Sequence, residues 1–188
     1  MPNDCPKSER RRLYANFHAF SSFCQARDTA HLALSSAGRP DTAWRAFITS
    51  FVIDYARPFK QIGKQMRLDE DEVIPEEHWE SHERVIILRD KVFAHVDTDK
   101  FKDNDAGQVH NKLIVEKHNG RISPRMRRAT LSRENIQEMS PLLSHLTTHC
   151  ADTFTEILNK YSGAFPEGAE VAQVDVLSQE EIPLFTEV

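Results

Sequence analysis

The chain has 188 residues, 39% of them hydrophobic and 28% charged, with a formal net charge of −5. That size and balance fit one soluble globular domain, and no apolar run approaches the roughly 18 residues of a membrane span. The opening MPNDCPKSERRR has no apolar signal core. Cys5, Cys24 and Cys150 are odd in number and widely spaced, which argues against a disulfide framework and for a reducing cytoplasm. The acidity is uneven. Residues 163–188 carry Glu167, Glu170, Asp175, Glu180, Glu181 and Glu187 with no Lys or Arg, so the rest of the chain is near neutral. Net charge therefore does not count against a nucleic-acid partner; the placement of the basic residues decides that.

A first helix is expected over residues 8–37, from the spacing of Leu13, Phe17, Phe20, Cys24, Ala30 and Leu34. Gly38 suits its C-terminal cap and Pro40 forbids its continuation. Its basic start (Lys7, Arg10, Arg11, Arg12) opposes the helix dipole. Those cations are either a solvated end or a backbone-phosphate contact. Asp41 suits the N-cap of a second helix running to about residue 66, with Trp44, Phe47, Ile48, Phe51, Tyr55, Phe59 and Ile62 as its stripe. Pro58 should kink it. Either the kink wraps the helix around the core, or it brings Tyr55 or Arg57 toward a site on the next helix.

Residues 69–83 are strongly acidic, and Pro75, Glu76 and Glu77 suit the positive end of a third helix running to His95 or just beyond. A polar loop follows. A β-hairpin is expected over about 109–131, with Leu113-Ile114-Val115 on one arm, a turn at His118-Asn119-Gly120, and a return arm bearing Arg121, Arg125, Arg127 and Arg128. That basic arm is either a charged edge strand or a surface that tracks phosphates. Ser132 caps a last helix to about Tyr161, burying Leu142, Leu143, Leu146, Phe154, Ile157 and Leu158. The domain is thus 1–162 and the acidic tail 163–188. The fold class is all-α, with four main helices.

The histidine pairs His78/His82 and His145/His149 have the i,i+4 spacing of metal ligands, but exposed helix histidines are the commoner outcome, and no metal site is assigned. Glycine-rich phosphate loops, nucleophile elbows and metalloprotease motifs are lacking.

The chemistry concentrates in Leu88-Arg89-Asp90-Lys91-Val92-Phe93-Ala94-His95-Val96-Asp97. Val85, Ile86, Leu88, Val92, Phe93 and Val96 form an apolar face into which a guanidinium, two carboxylates and an imidazole are set. Arg89 and His95 lie about 120° apart around an ideal helix and about 9 Å along it. One ideal helix does not aim both at one atom: Arg89 must bend along it, or a second copy must complete the site. Alternatively, Arg89 pairs with Glu83 or Asp90, and His95 is an ordinary helix-end histidine.

An arginine, a polar residue and then a histidine four to six residues on, late in a helix of a helical domain, resembles the HEPN superfamily. Arg89-Asp90 and His95, with five residues between Arg89 and His95, carry that pattern here. LRDKVFAHVD, together with Ile53-Asp54-Tyr55-Ala56-Arg57-Pro58-Phe59, is similar to its abortive-infection branch. By element order the resemblance spans roughly residues 10–160. It implies a HEPN-like bundle with an inserted hairpin, a homodimer whose third helices meet near the two-fold axis, and metal-independent endoribonuclease activity with no cofactor. It also implies a cytoplasmic toxin or phage-defence setting, with an antitoxin or defence-system protein as partner. Arg89, Asp90 and His95 would be catalytic, and Lys91, Arg121, Arg125, Arg127 and Arg128 would bind RNA. Relatives regulated by nucleotidyl transfer carry a tyrosine two residues after the histidine; Asp97 stands there, so that regulation is not expected. The competing expectation is a non-catalytic module of the same fold that binds RNA or protein.

Overall fold

The computed structural model describes residues 5–36, 41–60, 67–90, 112–118, 121–127 and 130–162. Mostly helical, they comprise α1 (Lys7–Ser35), α2 (Asp41–Lys60), a one-turn α3 (Glu70–Val73), α4 (Trp79–Leu88) and α5 (Arg133–Lys160), with strands β1 (Lys112–His118) and β2 (Arg121–Arg127) before α5. Among the described residues, no helix is long and apolar enough to cross a membrane.

α1 and α5 run antiparallel along each other. At one end Lys160 Nζ lies 3.2 Å from Glu9 Oε1; at the other, Arg133 Nη1 donates to the Leu34 carbonyl at 3.1 Å. The Arg133 guanidinium also lies 5.3 Å above the Trp44 ring, tying the start of α2 to the start of α5. Burial on α1 falls on Ala15, Ala19, Phe23, Ala26, Ala30 and Ala33. Of the expected stripe, Leu13 and Ala30 are buried, but Phe17 is 58% exposed, its ring edge-on to Phe154. α1 is flanked by two helices, α2 and α5. Its buried positions are therefore mostly small residues that admit a neighbouring backbone, Phe23 being the buried aromatic, while Tyr14 and Phe17 lie at the rim. The helix closes at Ser36, whose amide and hydroxyl both donate to the Ala33 carbonyl.

α2 extends through Pro58 and buries Ile48, Phe51, Val52, Tyr55, Ala56 and Phe59. Phe23 of α1 meets Tyr55 and Phe59, with ring centroids 5.9 and 5.8 Å apart. The expected third helix opens after Pro75, first as a 3-10 turn and then as α4, and a one-turn α3 that was not expected precedes it. Asp69 caps α3 by accepting from the Asp71 amide, Ile74 and Pro75 are extended, a 3-10 turn spans Glu76–His78, and α4 begins at Trp79. An extended residue before a proline is the conformation that the proline ring enforces. α5 starts with a capping box: the Ser132 hydroxyl accepts from the Asn135 amide, and Asn135 accepts from the Ser132 amide.

β1 and β2 pair antiparallel, with Lys112 opposite Arg127, Ile114 opposite Arg125 and His118 opposite Arg121.

Candidate functional site

α4 reaches the candidate site as a helix whose rotation is set by burial. Val85, Ile86 and Leu88 are all inside the core. Positions 82, 85, 86 and 89 form one i, i+3, i+4, i+7 stripe. Arg89 therefore lies on the core-facing side and is only 20% exposed, whereas the Asp90 side chain is 44% exposed. Residues 89 and 90 continue the helix in a wider, π-helical turn. Side chains adjacent in sequence do not face each other on a regular helix. Arg89 nevertheless donates from Nη1 to Asp90 Oδ1 at 2.8 Å. An ion pair this close to solvent is worth about 0.2–1 kcal/mol. Its main effect is therefore orientation: the guanidinium is fixed through one of its five N–H donors by a carboxylate one residue away.

The same stripe carries a group that sequence reasoning missed. His82 was expected on an exposed, glutamate-rich turn, but it is among the most buried side chains of the protein. Its Nδ1 lies 2.8 Å from the Tyr55 hydroxyl, and its Nε2 lies 3.3 Å from Glu70 Oε2. Glu70 in turn pairs with Lys60 at 3.0 Å. The Phe59 ring packs edge-on against the imidazole at 4.9 Å, and Trp79 covers another side at 5.6 Å. Burial lowers the pKa of His82, although Glu70 pulls the other way. With a carboxylate facing Nε2, the neutral tautomer carries its proton there, leaving Nδ1 to accept the Tyr55 O–H. The contact to Glu70 is off the line of a good hydrogen bond. Burial, with Glu70 adding its charge, pushes the Tyr55 phenol well above its ordinary range. Burial alone would raise Glu70, but Lys60 and His82 outweigh it and hold the carboxyl below its ordinary value. The chain Tyr55–His82–Glu70–Lys60 thus ties α4 to α2 and α3, about two helical turns before Arg89.

Tyr55 is committed to His82 within the core. Arg57 pairs with Asp54 at 3.0 Å. Neither contact involves Arg89. Cys5 and Cys150 are buried free thiols, and burial, with Cys24 adding to it, pushes Cys150 up to about 12, which makes it a poor nucleophile. His145 and His149 stack with ring centroids 6.3 Å apart, and among the described residues no group of three or more metal-ligating side chains gathers.

The period of a strand puts positions 121, 125 and 127 on one side of β2, and their register partners on β1 are His118, Ile114 and Lys112. His95, Lys91, Asp97, Arg128 and the tail 163–188 lie outside the described residues. So does the relation between Arg89 and His95.

Compared with known proteins, the chain matches no family model, no curated protein and no solved structure.

Proposed function

We propose that the protein is a metal-independent endoribonuclease of the HEPN type, a HEPN-like bundle with an inserted β-hairpin that acts as a cytoplasmic homodimer. The observation that carries this reading is the Arg89–Asp90 pair: a half-buried guanidinium held at 2.8 Å by the adjacent carboxylate, at the end of a helix whose sequence continues into His95. Structural reinforcement alone accounts poorly for the pair, because so little free energy is at stake. Orientation of a phosphate-binding arginine accounts for it better.

In the proposed reaction His95 removes the proton from a ribose 2′-hydroxyl. The 2′-oxygen attacks the adjacent phosphorus and the 5′-oxygen leaves with a proton, giving a 2′,3′-cyclic phosphate and a 5′-hydroxyl end. Arg89 binds the scissile phosphate and stabilises the charge that builds on its oxygens. Asp90 orients Arg89. The basic arm with Arg121, Arg125, Arg127 and Arg128, joined by Lys91, holds the RNA backbone. A second copy of the chain brings a second Arg89–His95 pair to the two-fold axis. The setting consistent with this activity is a toxin or phage-defence effector restrained by an antitoxin or defence-system protein.

A second reading rests on the same pair. The 2.8 Å contact also suits a structural ion pair in a non-catalytic module that binds RNA or protein. Arg89→Ala separates the two. A folded dimer of wild-type stability that no longer cuts RNA supports the enzyme. Loss of folding or dimerisation, with no cleavage by the wild type, supports the module.

A further inference from the structure

Hydrophobic side chains that the core leaves outside gather along the seam between α1 and α5. Phe17 is 58% exposed, and Tyr14 and Leu158 are each 37% exposed. Phe154, half-buried, meets Phe17 and Phe20 edge-on, with ring centroids 5.7 and 5.5 Å away. Tyr14 stands one turn before Phe17 on α1, and Leu158 one turn after Phe154 on α5, so the side chains follow one another along the seam. The strip is flanked by Ser21 on α1 and by Ala151, Thr155 and Asn159 on α5, none of them charged. Single apolar residues on a surface need no explanation, but a contiguous strip of them marks a face that something covers.

The place where α5 ends says what covers it. α5 closes at Lys160, two residues beyond Leu158, and residues 163–188 continue from there. They carry six acids and no Lys or Arg, and their most hydrophobic run of four is Ile182-Pro183-Leu184-Phe185. Phe154 lies about 12 Å back along α5 from residue 162. The linking residues 163–181 span up to about 60 Å when extended, so the return is well within reach. Charge agrees with this. The strip begins beside the first turns of α1, where Lys7, Arg10, Arg11 and Arg12 stand against Glu9, which Lys160 and Arg12 already share. Cations at that end oppose the dipole of α1, so their placement suits an acidic neighbour better than it suits the helix.

We propose that the strip formed by Tyr14, Phe17, Phe154 and Leu158 is the docking face of the chain's own C-terminal tail. Leu184 and Phe185 cover the aromatic rings, and the flanking Glu180, Glu181 and Glu187 lie toward the basic start of α1. Covalent attachment favours this occupant over a second copy, because a tethered segment meets the strip at an effective concentration on the order of millimolar. Lengthening the closed loop to 19 residues costs little, since closure entropy grows only with the logarithm of length. The proposal does not depend on the ribonuclease reading, because the strip belongs to α1 and α5 and not to α4.

Photo-crosslinking of the full chain tests it. Phe17 is replaced by the photo-crosslinker p-benzoylphenylalanine, the protein is irradiated at micromolar concentration, and the adducts are separated by size and mapped by peptide mass spectrometry. The same is done in a Leu184→Asp/Phe185→Asp background. Position 17 is exposed, so the probe leaves the core intact, as circular dichroism checks. The expected result is an adduct within one chain from position 17 to residues 180–188. The double variant should give about tenfold less of it, since each large apolar side chain withdrawn from an interface is worth about tenfold or more in a docking constant. Adducts confined to neighbouring residues of α1 and α5, or a tail adduct of equal yield in the double variant, would overturn the proposal. Adducts that join two chains would also overturn it and would mark the strip as a face for self-association. If the protein carrying the probe at position 17 does not fold, the same probe at the exposed Leu158 reads the same outcomes.

Discussion

Tyr55 and His82 make each other's burial affordable: each would be an orphaned polar group in the core without the 2.8 Å bond between them. Tyr55→Phe removes the donor and leaves Nδ1 of His82 unsatisfied. A destabilisation of about 1–3 kcal/mol is expected, read as a lower urea midpoint at unchanged slope. The same histidine couples stability to pH. Its folded pKa lies below the ordinary 6.5, so as pH falls past 6.5 the unfolded chain takes up a proton that the folded protein does not. Its contribution to stability is complete above that pH and is lost progressively below it. His18 and His149 shift in the same direction through burial, so the slope is shared. His82→Asn isolates its part: between about pH 7.5 and about pH 5.5 the variant should lose less stability than the wild type. Glu70 does not confuse the comparison, because its folded carboxyl lies below 4.5 and its loss falls at more acid pH. His82 was legible in principle. It shares a stripe with Val85 and Ile86, but the glutamates around it gave the segment the look of a solvated turn.

At the scale of elements, the helices could be read from the sequence where large apolar residues recur and a capping residue stands at the boundary, as with Ser132 before α5. Ser132→Ala removes one half of the capping box and should cost about 1 kcal/mol in thermal or urea unfolding. α1 was legible in extent but not in orientation. Periodicity ranks Phe17 above Ala19 and Ala26, yet a helix lying between two neighbours is buried where its residues are small. Ala26→Leu tests this: it should overpack the interior and destabilise the protein by about 1–3 kcal/mol, although leucine is the more hydrophobic residue. The one-turn α3 before Pro75 escaped the sequence because the four residues Glu70–Val73 are too few to show a helical period.

For the whole molecule, the helical elements surround one core formed by α1, α2, α4 and α5, with Arg89 at the end of α4 and the buried Tyr55–His82 bond about two helical turns behind it. The site as the sequence defines it needs His95 as well as Arg89, and one ideal helix does not aim both at one atom; a second copy of the chain is the way the proposed enzyme brings them together. The acidic tail supplies a further prediction. If residues 163–188 compete with RNA for the basic arm, deleting them tightens RNA binding at low salt, and unchanged affinity would refute the competition. The central claim is tested most directly by incubating a mixed single-stranded RNA, with EDTA present, with the wild type and with His95→Ala, both first shown by scattering to be folded to the same oligomer. The account predicts cutting by the wild type alone, leaving 2′,3′-cyclic phosphate ends. Equal cutting by both proteins, or none by a folded wild-type dimer, would contradict it.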